Sequence, residues 1–350
     1  MTGSVGLDIG GAHLKACLIR KGNVLNLTKV DLFKTPVWES RDTVVSVLNK
    51  IKTEWLLEND IQINVTMSAE MADCFTNRMD GVRKVLSIIR RVFGSTKLMI
   101  YSIKGLREPV IPLNKYKEIA SANWHVTAVT LSKIKGTCIL VDIGSTTTDI
   151  VPIKTGRVLS CSSSNDFLRL QRGELVYLGV SRTCLSSIRR QLFFRSNLTN
   201  VMRENFASTA DLFRLTEKFN PKYDLYPTCD GKNKTLLATK RRLARIIGLD
   251  ANDTFGDELY VLANQIKLAF IFEIVENLKR VKSRYEIKTN IPIVITGSGK
   301  FLARELEKQL ECEIINLSDL FSDLVRIPKS KRDNVDCCAT AFSLAMSAFL

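Results

Sequence analysis

Apolar positions along this chain alternate between short runs of strand length and longer segments where they recur every three to four residues. Residues 1 to about 30 read as two strands around a glycine turn, with a third strand after Lys21-Gly22-Asn23. A helix is predicted around 41–57, a strand over Gln62–Thr66, a helix near Gly81–Phe93 and a strand over Lys97–Tyr101. The stretch Pro112–Leu131 is expected to hold the helix that crosses to a second lobe. That lobe opens at Gly136 with the strand Thr137–Asp142, and the pattern then starts again, as a duplicated βββαβα core would make it. Asp257–Arg280 has the spacing of a long helix, and Cys337–Leu350 reads as an apolar helix expected to pack back on the first lobe. The chain therefore divides into a lobe over 1–130 and a lobe over 136–336, the second carrying an insertion at about 184–255. Long insertions over a scaffold commonly carry specificity.

Two turns built alike stand out against this pattern. The first reads Asp8-Ile9-Gly10-Gly11-Ala12-His13-Leu14-Lys15 and the second Asp142-Ile143-Gly144-Ser145-Thr146-Thr147-Thr148-Asp149. Each ends an apolar strand on a carboxylate and turns on glycine, which exposes backbone N–H groups to an approaching phosphate. A single Asp-x-Gly is an ordinary turn; its recurrence after two apolar strands favours phosphate chemistry. A third loop, Thr296-Gly297-Ser298-Gly299-Lys300, joins a buried strand to a helix-like segment and suits a nucleotide or another anion. Its alternative is a tight strand–helix connection.

Candidate roles follow from residue chemistry. Asp8 and Asp142 are the expected Mg²⁺ carriers, since that ion takes oxygen ligands and keeps several waters. Gly10, Gly11, Gly144, Ser145, Thr146 and Thr147 are expected to donate to phosphate oxygens, together with Gly297, Ser298 and Gly299. Asp149 is a base or a carboxylate that orients the threonines. Lys15 either neutralises phosphate charge or is an ordinary solvent-facing strand lysine, and His13 is a phosphate donor or a structural histidine. Glu70 either faces the cleft or caps the following helix. In the insertion, Asp211, Asp224 and Asp230 are candidates for a second cation or a substrate amine, with solvated surface carboxylates as the alternative.

Bulk properties narrow the choices. At 350 residues and 45% hydrophobic, the chain can build two α/β lobes around a shared cleft. No apolar run has the length of a membrane span, so a soluble cytoplasmic protein is expected. Nine scattered cysteines without a Cys-x-x-Cys pair read as reduced thiols, and two histidines are too few for a multi-histidine metal site. The net charge of +15 comes from Lys and Arg spread along the chain, with no nucleic-acid module signature. A solvated basic surface that concentrates anionic substrate fits this better than a nucleic-acid partner. Composition leaves a homo-oligomer open.

The three loops in this order resemble the actin-like ATPase superfamily, with its two-lobed ribonuclease H-like fold. Closer wording resembles the hydantoinase A/oxoprolinase branch, and within it the proteins linked to tetrahydromethanopterin-dependent one-carbon transfer. The segments that carry this resemblance are Gly6–Ala16, Thr66–Asp73, Ala120–Trp124, Val141–Pro152, Gly173–Thr183 and Asp224–Gly231. The resemblance implies a transferase of methanofuran or methylofuran synthesis that joins γ-glutamyltyramine to an aminomethylfuran-methyl diphosphate. An aryl ether forms and diphosphate leaves. It also makes Arg182 a motif residue that grips diphosphate or a substrate carboxylate, beside the Mg²⁺ expected as cofactor on Asp8 and Asp142. The shared scaffold equally allows an ATP-dependent kinase or an amide-ring hydrolase, so ATP stands beside diphosphate as the anionic ligand. Cys184 departs from the family pattern, where proline is expected, as do Cys337 and Cys338 in place of small or apolar residues.

Overall fold

The computed structural model describes residues 1–56, 60–94, 97–108, 113–160, 166–217, 219–287 and 290–350; Cys161 and Pro112 lie outside them. In the first lobe β1 (Gly3–Ile9), β2 (His13–Lys21) and β3 (Leu25–Lys34) form an antiparallel meander. On the other side of β1, β4 (Ile61–Met67) and β5 (Leu98–Ser102) add in parallel, and β6 (Gly105–Arg107) turns back along β5. The crossover helices Asp42–Trp55 and Arg78–Phe93 bury Val44, Leu48 and Ile51, and Val82, Val85 and Ile89, against this sheet. Such i, i+3/i+4 spacing is what gives a helix one apolar face. Asn77 caps the second helix by accepting the N–H of Asp80, and Gly94, at φ +75°, ends it.

The second lobe repeats the plan with β7 (Cys138–Ile143), β8 (Thr148–Lys154), β9 (Arg157–Val158) and β10 (Leu175–Val176). An insertion with the hairpin β11 (Gln191–Phe194) and β12 (Asn197–Asn200) and the helices Thr209–Thr216 and Leu236–Arg245 follows. The 27-residue helix Glu258–Arg284 then leads to β13 (Ile293–Thr296) and β14 (Ile314–Asn316). The strand order β10-β8-β7-β13-β14 reproduces β3-β2-β1-β4-β5, antiparallel on one side of the central strand and parallel on the other. The fold is a two-lobed, duplicated α/β fold of the actin-like type.

The chain returns to the first lobe through β15 (Val325–Arg326), which pairs with β3. Two helices end it, Arg332–Cys337 and Ala339–Met346, with the break at Cys338. The last helix packs on β1 at Gly6, where a Cβ would stand 2.0 Å from the carbonyl of Ala341. It also lies against the helix Asn123–Ser132, which links the lobes; Thr130 donates to the Ser343 carbonyl at 3.4 Å. One apolar core draws Cys17 and Ile19 from the first sheet, Leu140 and Val151 from the second, and Trp124 and Phe342 from these helices. The lobes are therefore fused at their base, and the cleft opens at the C-terminal ends of β1 and β7.

Candidate active site

Strand register builds the two halves of the site on one lattice. Asp8 on β1 faces Lys15 on β2 and Thr66 on β4; Asp142 on β7 faces Asp149 on β8 and Thr296 on β13. The cross-strand partner is thus a lysine in one lobe and an aspartate in the other. Both turns close the same way: Gly10 N–H donates to the His13 carbonyl at 2.9 Å, and Gly144 N–H to the Thr147 carbonyl at 2.8 Å. Space dictates glycine at position 10, because a Cβ there would stand 2.8 Å from that His13 oxygen. The main-chain N–H groups of Gly11, Ala12, Ser145 and Thr146 make no hydrogen bond within the described residues. Such free donors at facing turns form a nest for anionic oxygens.

Between the turns lies a cavity of about 540 Å³. Asp8, Gly10, Gly11, His13, Lys15, Asp142, Gly144, Ser145, Thr146, Thr147, Asp149 and Arg182 all line it. Three carboxylates thereby gather around one lysine. Lys15 Nζ stands 3.8 Å from Asp8 Oδ2. Burial by itself lowers the lysine pKa, but Asp8 and Asp142 outweigh it, and Lys15 stays protonated. Burial raises Asp142 to about 6, against the pull of Lys15. It also raises Asp8, and raises Asp149 despite an ion pair with Arg169 at 2.7 Å. His13 is 7% exposed; burial, then Lys15, Arg182 and Lys34, lower it to about 3, so it is a neutral donor or acceptor here.

Asp8 Oδ1 is buried without a partner among the described residues. A bare carboxylate oxygen in such a place is costly unless a cation or ligand takes it. Among the described residues no cluster of three or more His, Cys, Asp or Glu has metal-binding geometry. The donor set is therefore one or two carboxylates beside an anion nest. This fits Mg²⁺, which is commonly held by one or two carboxylates, water and phosphate oxygens, and does not fit a cation that needs a full protein cage.

Three groups of predicted site residues sit elsewhere than expected. Gly297, Ser298 and Gly299 do not line the cavity. Gly297 N–H donates to the Asp336 carbonyl and Gly299 N–H to that of Ile143. A Cβ on Gly297, at φ +88°, would stand 2.4 Å from Asp142 Oδ1. The third loop is therefore the tight connection that seats Asp142, with its glycine donors already taken. Glu70 lies behind the wall, 1% exposed, accepting from Ser121 Oγ at 2.7 Å, and burial raises it to about 7. Asp211, Asp224 and Asp230 face arginines and a lysine inside the insertion. Arg214 bridges Asp211 and Asp224, each at 2.6 Å, and Arg242 bridges Asp211 at 2.7 Å and Asp230 at 3.1 Å. Lys234 adds a contact to Asp224 at 3.0 Å. These pairs fix the loop that carries Tyr226.

Sequence reasoning missed the aromatic and guanidinium groups of the cavity. Trp38, Trp124, Tyr177 and Arg169 line it. Arg169, 1% exposed, stacks its guanidinium 4.1 Å from the Trp124 ring and binds Asp149. Tyr226 reaches from the insertion to the first turn and donates to the Ala12 carbonyl. Two of the three tryptophans of the chain, Trp38 and Trp124, line this one cavity.

With the geometry in place, relatives become informative. The family model described as hydantoinase/oxoprolinase matches residues 63–321. The chain belongs to the hydantoinase/oxoprolinase family. It is 32% identical over 304 residues to (4-{4-[2-(γ-L-glutamylamino)ethyl]phenoxymethyl}furan-2-yl)methanamine synthase of Methanocaldococcus jannaschii, covering 86% of this chain and 87% of that one. The protein of the same name from Methanococcus vannielii is 36% identical over 188 residues, 53% of this chain and 82% of the other. Among solved structures, a ROK family glucokinase from Streptomyces griseus, in complex with glucose and AMPPNP, matches with a TM-score of 0.50 and 11% identity. That match covers 98% of both chains and speaks to the fold alone.

Proposed function

We propose that this protein joins the phenol of γ-glutamyltyramine to an aminomethylfuran-methyl diphosphate, forming an aryl ether in methanofuran or methylofuran synthesis. The observation that carries this reading is the 32% identity to the Methanocaldococcus jannaschii synthase, which spans 86% of this chain and 87% of that one. The product in that synthase's name is itself a phenoxymethylfuran bearing a methanamine and a γ-glutamyl amide.

In the reaction the phenol oxygen forms a bond to the furan-methyl carbon. The carbon–oxygen bond to diphosphate breaks, and diphosphate leaves with the electron pair. Mg²⁺, carried by Asp8 and Asp142, would screen the charge that gathers on the leaving oxygens. The free N–H groups of Gly11, Ala12, Ser145 and Thr146 and the charge of Lys15 act on that same charge, already oriented before the bond breaks. A phenol has an ordinary pKa of about 10, so its proton needs a base. Asp149 lines the cavity and burial makes it more basic than a surface carboxylate. Glu70, shut behind Ser121, does not reach the cavity.

We propose the cytoplasm as its place and tetrahydromethanopterin-linked one-carbon metabolism as its context. The eight cysteines among the described residues are all free thiols, which suits a reducing compartment. The test is diphosphate release by the purified protein with Mg²⁺ and both substrates, with product mass read in parallel. Release that requires the phenol, with an ether of the expected mass, supports the proposal. ATP hydrolysis without ether product overturns it.

A further inference from the structure

Trp38, Arg182 and Tyr226 come from three separate parts of the chain: the segment after β3, the loop after β10 and the insertion. Trp38 and Arg182 line the cavity, and Tyr226 stands against both. The Arg182 guanidinium lies 4.6 Å from the Trp38 ring centre and 5.4 Å from that of Tyr226. The two rings face each other at 5.7 Å with an interplanar angle of 28°. Lys34 Nζ stands 5.4 Å from the Tyr226 ring, and His13 meets Tyr226 edge-on at 5.0 Å. Neither Arg182 nor Lys34 has a carboxylate partner among the described residues. Two unpaired cations held on aromatic faces are poised for an anion, because a stacked guanidinium keeps its N–H edge free for a fork.

Each member is also tied to a turn. Ser145 accepts the main-chain N–H of Arg182 at 3.0 Å, and a Cβ on Gly179 would stand 2.4 Å from Thr146 N, so this loop is seated tightly on the second turn. Val37 N–H donates to the Gly11 carbonyl at 3.0 Å, which places Trp38 beside the first turn, and Tyr226 holds the Ala12 carbonyl. The cluster therefore spans the tips of both turns, where the free N–H groups gather.

We infer that Trp38, Arg182 and Tyr226 form one clamp for a diphosphate group. Arg182 binds the anion, while Trp38 and Tyr226 are positioning residues that fix its plane across the two turns. The inference rests on the proposed reaction only for the origin of the diphosphate, as substrate group and released product. The clamp itself predicts binding of inorganic diphosphate by the whole chain without any furan or phenol.

The experiment is calorimetric titration of inorganic diphosphate with Mg²⁺ into the wild-type protein and into Arg182→Gln, Arg182→Lys, Trp38→Ala and Trp38→Phe variants, each checked by circular dichroism. Arg182→Gln and Arg182→Lys are expected to weaken binding at least tenfold, since the lysine keeps charge without the fork. Trp38→Ala is expected to weaken it about tenfold, and Trp38→Phe to return it to within threefold of wild type. Folded Arg182→Gln and Trp38→Ala variants that bind diphosphate like wild type would sink the clamp. So would an Arg182→Gln effect confined to the KM of the γ-glutamyl substrate, which would make the residue a carboxylate site. Wild-type diphosphate binding that follows the expected variant order, in a protein that makes no ether, would keep the clamp and remove the proposed reaction.

Discussion

Proton bookkeeping decides how the buried carboxylates behave. Asp142, raised to about 6 by burial, must be ionised to hold a cation. Turnover is therefore expected to fall as pH drops through about 6, and the acid limb of a kcat/KM profile would show it. Asp8→Asn and Asp142→Asn should each lower kcat by roughly a hundredfold or more, the scale of losing one preorganised electrostatic group, with circular dichroism unchanged. Glu70 gives a stability test with the opposite emphasis. Its folded pKa of about 7 exceeds the ordinary 4.5, so the folded chain holds an extra proton between those values. Its contribution to stability is intact below about 4.5 and is lost as pH rises through 7. Glu70→Gln should then be more stable than wild type at pH 8, by on the order of 3 kcal/mol, and no more stable at pH 4. Urea unfolding at both pH values reads this directly. At this scale the places of Asp8 and Asp142 in the cavity wall were legible because motif position fixes them in strand register, whereas Lys15 stood open between a phosphate partner and a solvent-facing strand lysine. Trp38 was not legible, since a lone aromatic in a loop carries no mark of the cavity it will line, and neither was Tyr226, which reaches the Ala12 carbonyl only once the insertion has folded.

At the scale of elements, the duplicated pattern was readable because each lobe repeats an apolar strand, a carboxylate and a glycine turn. The third glycine loop shows where such reading stops. A strand, Gly-x-Gly and a helix describe both an anion loop and a close-packed connection, and only the hydrogen bonds of Gly297 and Gly299 separate them. The insertion's aspartates were opaque for a similar reason, as Arg214 and Arg242 meet them only after the helices fold together. Glycine packing also yields a prediction about the last helix. At Gly6 an added methyl would meet the Ala341 carbonyl, which is backbone and cannot swing aside. Gly6→Ala is expected to cost about 3 kcal/mol or more through overpacking, measured as a lowered urea midpoint. Gly11→Ala, with nothing within 4 Å of its new Cβ, should cost less than about 1 kcal/mol.

Across the whole molecule, each lobe has an apolar core of its own and a third core joins both sheets through the helices Asn123–Ser132 and Ala339–Met346, so neither lobe keeps that third core if the other unfolds. The cleft side is tied more lightly, by the Tyr226 hydroxyl on Ala12 and by the Arg78–Asp166 ion pair at 2.6 Å. A ligand held by both turns bridges that lighter side and stabilises the molecule as one unit. At a hundredfold excess over Kd, binding contributes about 2.7 kcal/mol. A chain of this size should then melt as a single transition, a few degrees higher with Mg²⁺ and diphosphate than without. Removing Mg²⁺ with a chelator should cancel the shift if the carboxylates of Asp8 and Asp142 act through the metal. A shift that survives chelation would assign the anion to Lys15, Arg182 and the turn N–H groups alone. Two separate transitions, with only one moved by ligand, would show that the lobes' own cores hold without the shared one and would overturn the expected coupling.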